Sequence, residues 1–117
     1  MTKRQGISRA KAGLTVDRVV ATAFDVLDAG GAGRLSTRAI ATELGVSMNT
    51  VLWHIRTKDR LLELMSDAIV GEVDLDDLAG ENLQQAAELL HRLRRAMLNH
   101  RDGALIMSGT FARNRTP

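Results

Sequence analysis

The segment that most constrains the fold runs from Thr37 to Ile55, where two short amphipathic stretches flank a glycine. Ala41 is small enough to let the two stretches cross closely as helices, and Gly45 can adopt the positive φ at which the chain reverses. Apolar side chains that would lock the crossing angle are Ile40, Leu44, Val46 and Val51. This spacing predicts a helix-turn-helix. The alternative is an ordinary αα-corner with a solvated outer face.

The rest of the sequence also has a helical pattern. Its single proline is the last residue, tyrosine is absent and runs of β-branched residues are few, which argues against strands. Apolar residues recur at intervals of three and four in segments that follow good capping residues. The predicted caps are Thr15, Ser36, Ser47 and Thr57. A fifth helix follows an acidic linker, a short last helix starts at Gly103, and residues 112–117 look loose. The predicted fold class is all-α.

Composition excludes several classes of protein. The 117 residues suffice for one domain, and 44% apolar with 26% charged residues are globular proportions. With no cysteine, disulfides, thiolate metal sites and a cysteine nucleophile are excluded. No stretch is long and apolar enough for a membrane span, and the basic start lacks the apolar core of a signal peptide. We therefore expect a cytoplasmic protein that does not contact the membrane.

Charge is distributed unevenly along the chain. Residues 1–60 contain ten Lys and Arg against five Asp and Glu, whereas residues 61–117 contain six against nine. A polyanion would therefore meet the first half. Residues 1–13 contain no acid and four bases, Lys3, Arg4, Arg9 and Lys11. This predicts a basic N-terminal arm able to enter a minor groove.

The outer face of the third helix carries the predicted DNA contacts. With Val51 at the centre of the buried face, the first turns present amide, hydroxyl and apolar side chains outward. Such side chains read base edges in the major groove, because Asn can bond adenine and apolar groups can meet the thymine methyl. Phosphate-seeking groups flank them. The candidate DNA-binding residues are Thr37, Arg38, Ser47, Met48, Asn49, Thr50, Leu52, Trp53, His54 and Lys58.

These motifs together resemble the TetR family of bacterial one-component repressors. The resemblance rests on the first helix, on Leu35–Val46, on Trp53–Ile55 and on Lys58–Leu62. It extends to Leu98–Ala104 and to Gly109 with Thr110, which are similar to the tetracycline-repressor-like subgroup. The resemblance implies a three-helix DNA-binding head at residues 14–58, after the arm at 1–13. Residues 59–117 are then a connector helix and part of an α-helical ligand-binding and dimerisation domain.

The resemblance also implies a function. Members of the family bind a palindromic double-stranded operator as homodimers and release it when a small molecule enters the second domain. The expected function is therefore that of a ligand-responsive transcriptional regulator, with repression as the expected direction, and not that of an enzyme. The subgroup has Gln, Pro and Tyr where this chain has Met48, Asn49 and Leu52. We therefore expect a different operator sequence.

On the ligand side the resemblance implies a changed pocket. The magnesium-binding histidine of the subgroup falls on Met107, whose thioether is a poor ligand for a hard cation. No metal or other cofactor is therefore expected, and apolar residues at the pocket positions favour a small apolar effector. The candidate ligand-binding residues are Leu89, Leu93, Met107, Thr110 and Phe111. The alternative for Leu89, Leu93 and Met107 is plain core packing.

Two other functions stay open from the residues alone. A helical interaction module would use the αα-corner to bind protein without reading DNA. An excess of acidic residues near Trp53 would favour this function, but the sequence is basic there. A small enzyme would use His100 and Asp102, although two such groups at a helix end more often order a loop. Compared with the family, the sequence ends early in the second domain. We expect the apolar faces of the fourth and fifth helices to be exposed and to drive dimerisation or aggregation.

Overall fold

The computed structural model describes residues 13–78 and 82–114, with side chains described as far as residue 109. Within these ranges it contains six α-helices, one 3-10 turn and no strand. The elements are α1 Val16–Gly30, the turn Ala32–Arg34, α2 Thr37–Leu44, α3 Met48–Ile55, α4 Lys58–Gly71, α5 Leu83–Leu98 and α6 Gly103–Asn114. The predicted all-α fold is confirmed.

The helices begin where capping side chains predict. The hydroxyls of Thr15, Ser36, Ser47 and Thr57 each accept a hydrogen bond, 3.0–3.1 Å long, from the backbone N–H three residues later. Each bond satisfies a donor that the first turn of a helix leaves without an intrahelical partner. Asn82 caps α5 in the same way, with its side-chain oxygen 2.9 Å from the Gln85 nitrogen. All four predicted caps are confirmed.

The turn between α2 and α3 has the predicted geometry. Gly45 ends α2 with φ 71° and ψ 32°, the left-handed conformation that glycine adopts at least cost. The N–H of Val46 donates to the Ala41 carbonyl oxygen at 3.0 Å, so the chain reverses tightly. Ser47 then starts α3 after a connection of only three residues. The helix-turn-helix is therefore present as predicted.

One hydrophobic core joins the first four helices and α6. Val19, Leu27, Ile40, Val51 and Ile55 are fully buried and belong to a cluster that includes α4 and α6 residues. Burial of such side chains is the main source of stability, at about 25 cal/mol per Å² of apolar surface. Residues of the proposed DNA-binding head and of the connector helix therefore share the same core.

The expected exposure of apolar faces is correct for α5 and wrong for α4. Leu61, Met65 and Ile69 of α4 are fully buried, because α1 and α6 pack against that helix. On α5, in contrast, Leu83 is 88% exposed and Leu90 is 66% exposed. The apolar face of α5 is thus uncovered by the part of the chain that the structure describes.

One boundary differs from the sequence prediction. The last helix runs to Asn114, so residues 112–114 of the expected loose tail are helical. The acidic linker forms a turn in which the Leu78 N–H donates to the Leu75 carbonyl oxygen at 3.0 Å. Among the described residues, no helix combines the length and apolar character needed to cross a membrane.

Candidate nucleic-acid interface

The outer face of α3 is exposed and chemically mixed. Met48 is 39% exposed, Trp53 is 68% exposed, and Asn49 is exposed beside Met48. Leu52 is half-buried at the edge of this face. An amide, a thioether and an indole therefore project from the helix into solvent. This combination suits base edges, because it offers a hydrogen-bonding amide beside apolar surface.

Two of the predicted DNA contacts build the start of α3. The Ser47 hydroxyl accepts from the Thr50 N–H at 3.1 Å and lies 2.9 Å from the Thr50 hydroxyl. Thr50 is buried, with 9% of its surface exposed, whereas Ser47 is exposed. Thr50 therefore faces the core, and the hydroxyl pair fixes the first turn of α3.

His54 joins α3 to the start of α1. Its Nδ1 lies 2.8 Å from the Thr50 carbonyl oxygen and its Nε2 lies 3.0 Å from the Leu14 carbonyl oxygen. The ring is half-buried, and both nitrogens face carbonyl acceptors. The sequence predicts His54 as a DNA contact; in the structure it holds the recognition helix against the residue that precedes the Thr15 cap. The carbonyl of Leu14 carries no sequence signal that would have revealed this contact.

Arg56 combines backbone strain with an exposed cation. Its φ of 68° and ψ of −61°, with the Thr57 N–H 2.8 Å from the Ile55 carbonyl oxygen, form a γ-turn of the rare, strained type. This turn ends α3 and starts α4 within two residues. The guanidinium carbon lies 4.9 Å from the centroid of the Trp53 ring, a cation–π distance. Arg56 is thus a further cation of this face.

The helix starts around α3 carry the other cations. Arg38 in the first turn of α2 and Lys58 at the start of α4 are exposed, and Thr37 is half-buried beside the Ser36 cap. Helix N-termini present free backbone N–H groups that favour phosphate. The face defined by Arg38, Met48, Asn49, Trp53, Arg56 and Lys58 is called the α3 face below.

The predicted ligand-binding residues lie on α5 and α6. Leu89 is 40% exposed on α5, while Leu93 and Met107 are half-buried. The side chains of Thr110 and Phe111 lie outside the described residues. A cavity of about 350 Å³ beside α5 is instead lined by charged groups, including Glu72, Asp77, Glu88 and Arg92. Leu89, Leu93 and Met107 do not line this cavity.

The loop between α5 and α6 fastens the second half of the chain to the first. The Asp102 carboxylate accepts from the Ala32 N–H at 2.8 Å, and the Arg101 N–H donates to Asp28 at 3.2 Å. His100 Nε2 lies 2.5 Å from a Glu72 oxygen, and its ring packs on Phe24 with centroids 4.3 Å apart. His100 and Asp102 thus face different partners, which confirms the loop-ordering interpretation. No group of three or more potential metal-ligating side chains occurs among the described residues.

Arg92 orders the acidic turn before α5. Its guanidinium binds both Asp77 oxygens, at 2.7 and 2.9 Å, the Asp74 carbonyl oxygen at 2.6 Å and Glu88 at 2.9 Å. The hydrogen bond from Arg92 lowers the pKa of Asp77 below its usual value. Arg92 therefore pairs with the acidic linker that precedes α5.

Known proteins match this chain in sequence. The family model described as "Bacterial regulatory proteins, tetR family" matches residues 19–65. An HTH-type transcriptional regulator of Saccharopolyspora erythraea is 36% identical over 102 residues, covering 86% of this chain and 43% of that protein. The class E tetracycline repressor protein of Escherichia coli is 36% identical over 100 residues, covering 83% and 47%. The chain thus spans about half the length of these relatives.

Solved structures match as well. BioQ with its double-stranded DNA operator has a TM-score of 0.76 at 34% identity, covering 86% of this chain and 61% of that one. Streptomyces coelicolor ActR in complex with actinorhodin has a TM-score of 0.70 at 38% identity, covering 80% and 44%. The two relatives found by sequence are named as a transcriptional regulator and a repressor protein. With its helix-turn-helix and the α3 face in place, the chain belongs to the TetR family of DNA-binding transcriptional regulators.

Proposed function

We propose that this chain represses transcription by binding a palindromic operator as a homodimer, and that a small apolar effector releases it. It would act in the cytoplasm, where it meets double-stranded DNA. The observation that carries the proposal is the α3 face of the helix-turn-helix. On this face the exposed amide of Asn49 and the exposed indole of Trp53 lie among exposed cations. The BioQ structure, which contains an operator, supports DNA as the partner of this fold.

The predicted DNA-binding residues divide by their surroundings. We assign base contacts to Met48, Asn49 and Trp53, because their side chains leave the helix toward solvent. Exposed cations and helix starts suit phosphate contacts, which we assign to Thr37, Arg38, Arg56 and Lys58. The contacts that Ser47, Thr50 and His54 make within the protein suit positioning, and Leu52 borders the base-reading set.

The effector would bind near the partly exposed side of α5. We assign apolar contacts there to Leu89, Leu93, Met107, Thr110 and Phe111. The solved complex of ActR with actinorhodin supports a small molecule as the effector class. A second copy of the chain would cover the exposed leucines of α5, which gives the homodimer that a palindrome requires. No metal is assigned to this site.

Release would act through the contacts between the two halves of the chain. Asp102 holds the Ala32 amide, and α4 joins Lys58 of the α3 face to the buried Met65. A ligand that binds more tightly to a state in which these contacts are shifted lowers operator affinity. The loss equals the difference between the binding free energies of the ligand for the two states, commonly about 1–3 kcal/mol. The two heads would then no longer fit both half-sites of the operator.

The test is DNA binding by the purified chain. Fluorescence anisotropy with DNA from upstream of its own gene should show affinity that falls linearly on a log–log plot against salt concentration, because phosphate contacts release counterions. Asn49→Ala should weaken specific binding by about tenfold to a hundredfold and leave binding to random DNA unchanged. Lys58→Gln should weaken both and lower the salt slope by about one.

A control variant separates these effects from general damage. Gln84→Ala changes an exposed residue of α5 outside the α3 face, so it should leave DNA affinity unchanged. Binding without salt dependence, or the same loss for Gln84→Ala as for Asn49→Ala, would contradict the proposal. Protein capture through the Trp53 side without any DNA affinity would favour the interaction-module alternative.

A further inference from the structure

A groove that the proposed DNA contacts do not use runs between α1 and α4. Apolar side chains from both helices form its floor, including Val20, Phe24, Leu64 and Ala68. The groove has a volume of about 720 Å³ and is open to solvent. Phe24, Leu64 and Ala68 are only partly buried, so their apolar surface is available to an occupant.

The rim of this groove is strongly acidic. Five carboxylates line it, those of Asp17, Asp25, Asp28, Asp67 and Glu72, and no Lys or Arg belongs to its described lining. Two of them have partners, because Asp28 accepts from Arg101 and Glu72 pairs with His100. Asp17, Asp25 and Asp67 make no hydrogen bond or ion pair with another described residue. The groove is called the α1–α4 groove below, and its charge favours a cationic occupant.

The chain itself supplies a segment of complementary charge. Residues 1–12 contain four cations, no acid and the apolar Ile7, and they join α1 only a few residues before Asp17. Twelve extended residues reach about 40 Å, whereas the eleven helical steps from Asp17 to Asp28 span about 16 Å. The tether also gives the arm an effective concentration of about millimolar at the groove.

We infer that the basic arm, residues 1–12, docks in the α1–α4 groove when no DNA is bound. Carboxylates of the rim then compete with DNA phosphates for the same four cations. An arm held in the groove must leave it before contacting DNA. The apparent DNA affinity therefore decreases as the docked fraction of the arm increases. This last consequence rests on the proposed DNA-binding function, whereas docking itself does not.

Docking is tested without DNA. The chain has no cysteine, so Thr2→Cys gives a single attachment point for a nitroxide spin label. In NMR spectra of the full chain, the label should broaden the amides of Asp25 and Asp67 and spare that of Ala87, which lies on α5. The selective broadening should disappear in 0.5 M salt, because screening weakens exposed charge pairs. Uniform broadening, or none, would overturn the inference.

A second measurement tests the competition with DNA. Asp17→Asn, Asp25→Asn and Asp67→Asn are combined, both in the natural chain and in one whose Lys3, Arg4, Arg9 and Lys11 are changed to Gln. Removing acid raises DNA affinity in either background, but the natural arm should add a further gain of about threefold to tenfold. Circular dichroism verifies that the variants fold. Equal gains in both backgrounds would overturn the competition, and a chain that binds no DNA leaves the spin-label result to decide docking.

Discussion

Replacing His54 by alanine removes the side chain that joins α3 to the start of α1. Its Nδ1 lies 2.8 Å from the Thr50 carbonyl oxygen and its Nε2 lies 3.0 Å from the Leu14 carbonyl oxygen, and a neutral imidazole has one N–H to donate to either of them. The bond contributes about 1 kcal/mol net and the burial of half of the ring about as much again, so His54→Ala should lower the free energy of unfolding by about 2 kcal/mol. His54→Asn keeps a donor for the Thr50 carbonyl but loses the ring, so about half of that loss is expected.

Trp53→Ala is the matched variant one position away. Because the indole is 68% exposed, its removal should change the free energy of unfolding by less than about 1 kcal/mol, chiefly through the exposed cation–π contact with Arg56. It should nevertheless weaken operator binding by at least about tenfold, since the lost surface belongs to the α3 face. The two neighbours thus separate stability from DNA recognition.

Urea unfolding followed by far-ultraviolet circular dichroism measures both variants. Tryptophan fluorescence is unsuitable because Trp53 is the single tryptophan of the chain. The slope of free energy against urea should be unchanged, so that the midpoint shift reports stability. His54→Ala within about 0.5 kcal/mol of the natural protein would refute the positioning role. An equal loss in Trp53→Ala would refute the assignment of the two faces of α3.

Three further predictions follow from local geometry. Arg56→Gly should raise the free energy of unfolding by about 0.5 kcal/mol, because relief of the strained positive φ outweighs the greater entropy of glycine in the unfolded chain. The same change should weaken DNA binding, since it removes a cation of the α3 face. A variant that unfolds at a lower urea concentration would contradict the stability prediction. Gly103→Ala should destabilise by about 2–3 kcal/mol, because its Cβ would lie 2.3 Å from the Met97 carbonyl oxygen; thermal unfolding with an unchanged midpoint would count against it. Asp77 has a lowered pKa through Arg92, so its contribution is present above the ordinary value of 3.8 and lost as the pH falls through the folded-state pKa. Asp77→Asn should therefore slightly reduce the fall in the free energy of unfolding as the pH is lowered into the acid range. An unchanged slope of the free energy of unfolding against pH would argue against this.

Local signals in the sequence were sufficient for the helices and for the α3 face. A hydroxyl that caps a helix acts within three residues, and the left-handed turn at Gly45 depends on that residue alone. The outward direction of Asn49 and Trp53 follows from the helical period once Val51 is placed inside. Each of these features depends on residues only a few positions apart in the sequence.

Contacts between distant segments were not predictable in the same way. His54 meets the Leu14 carbonyl 40 residues away, and Asp102 meets the Ala32 amide 70 residues away. Both partners are backbone groups, which every residue has, so no residue type marks them. The positive φ of Arg56 was hidden as well, because arginine rarely adopts it. On α5, the apolar face was expected to be exposed, and Leu90 is 66% exposed.

The hydrogen bond from the Ala32 amide to Asp102 also makes one backbone hydrogen a reporter of the junction between the two halves of the chain. Its exchange with solvent deuterium requires only that the α5–α6 loop moves away, whereas amides inside α1 exchange when the core around Leu27 opens. The exchange rates of the Ala32 amide and of the α1 amides therefore distinguish detachment of the α5–α6 loop from unfolding of the DNA-binding head. An effector that acts through the loop would accelerate exchange at Ala32 while the α1 amides stay protected.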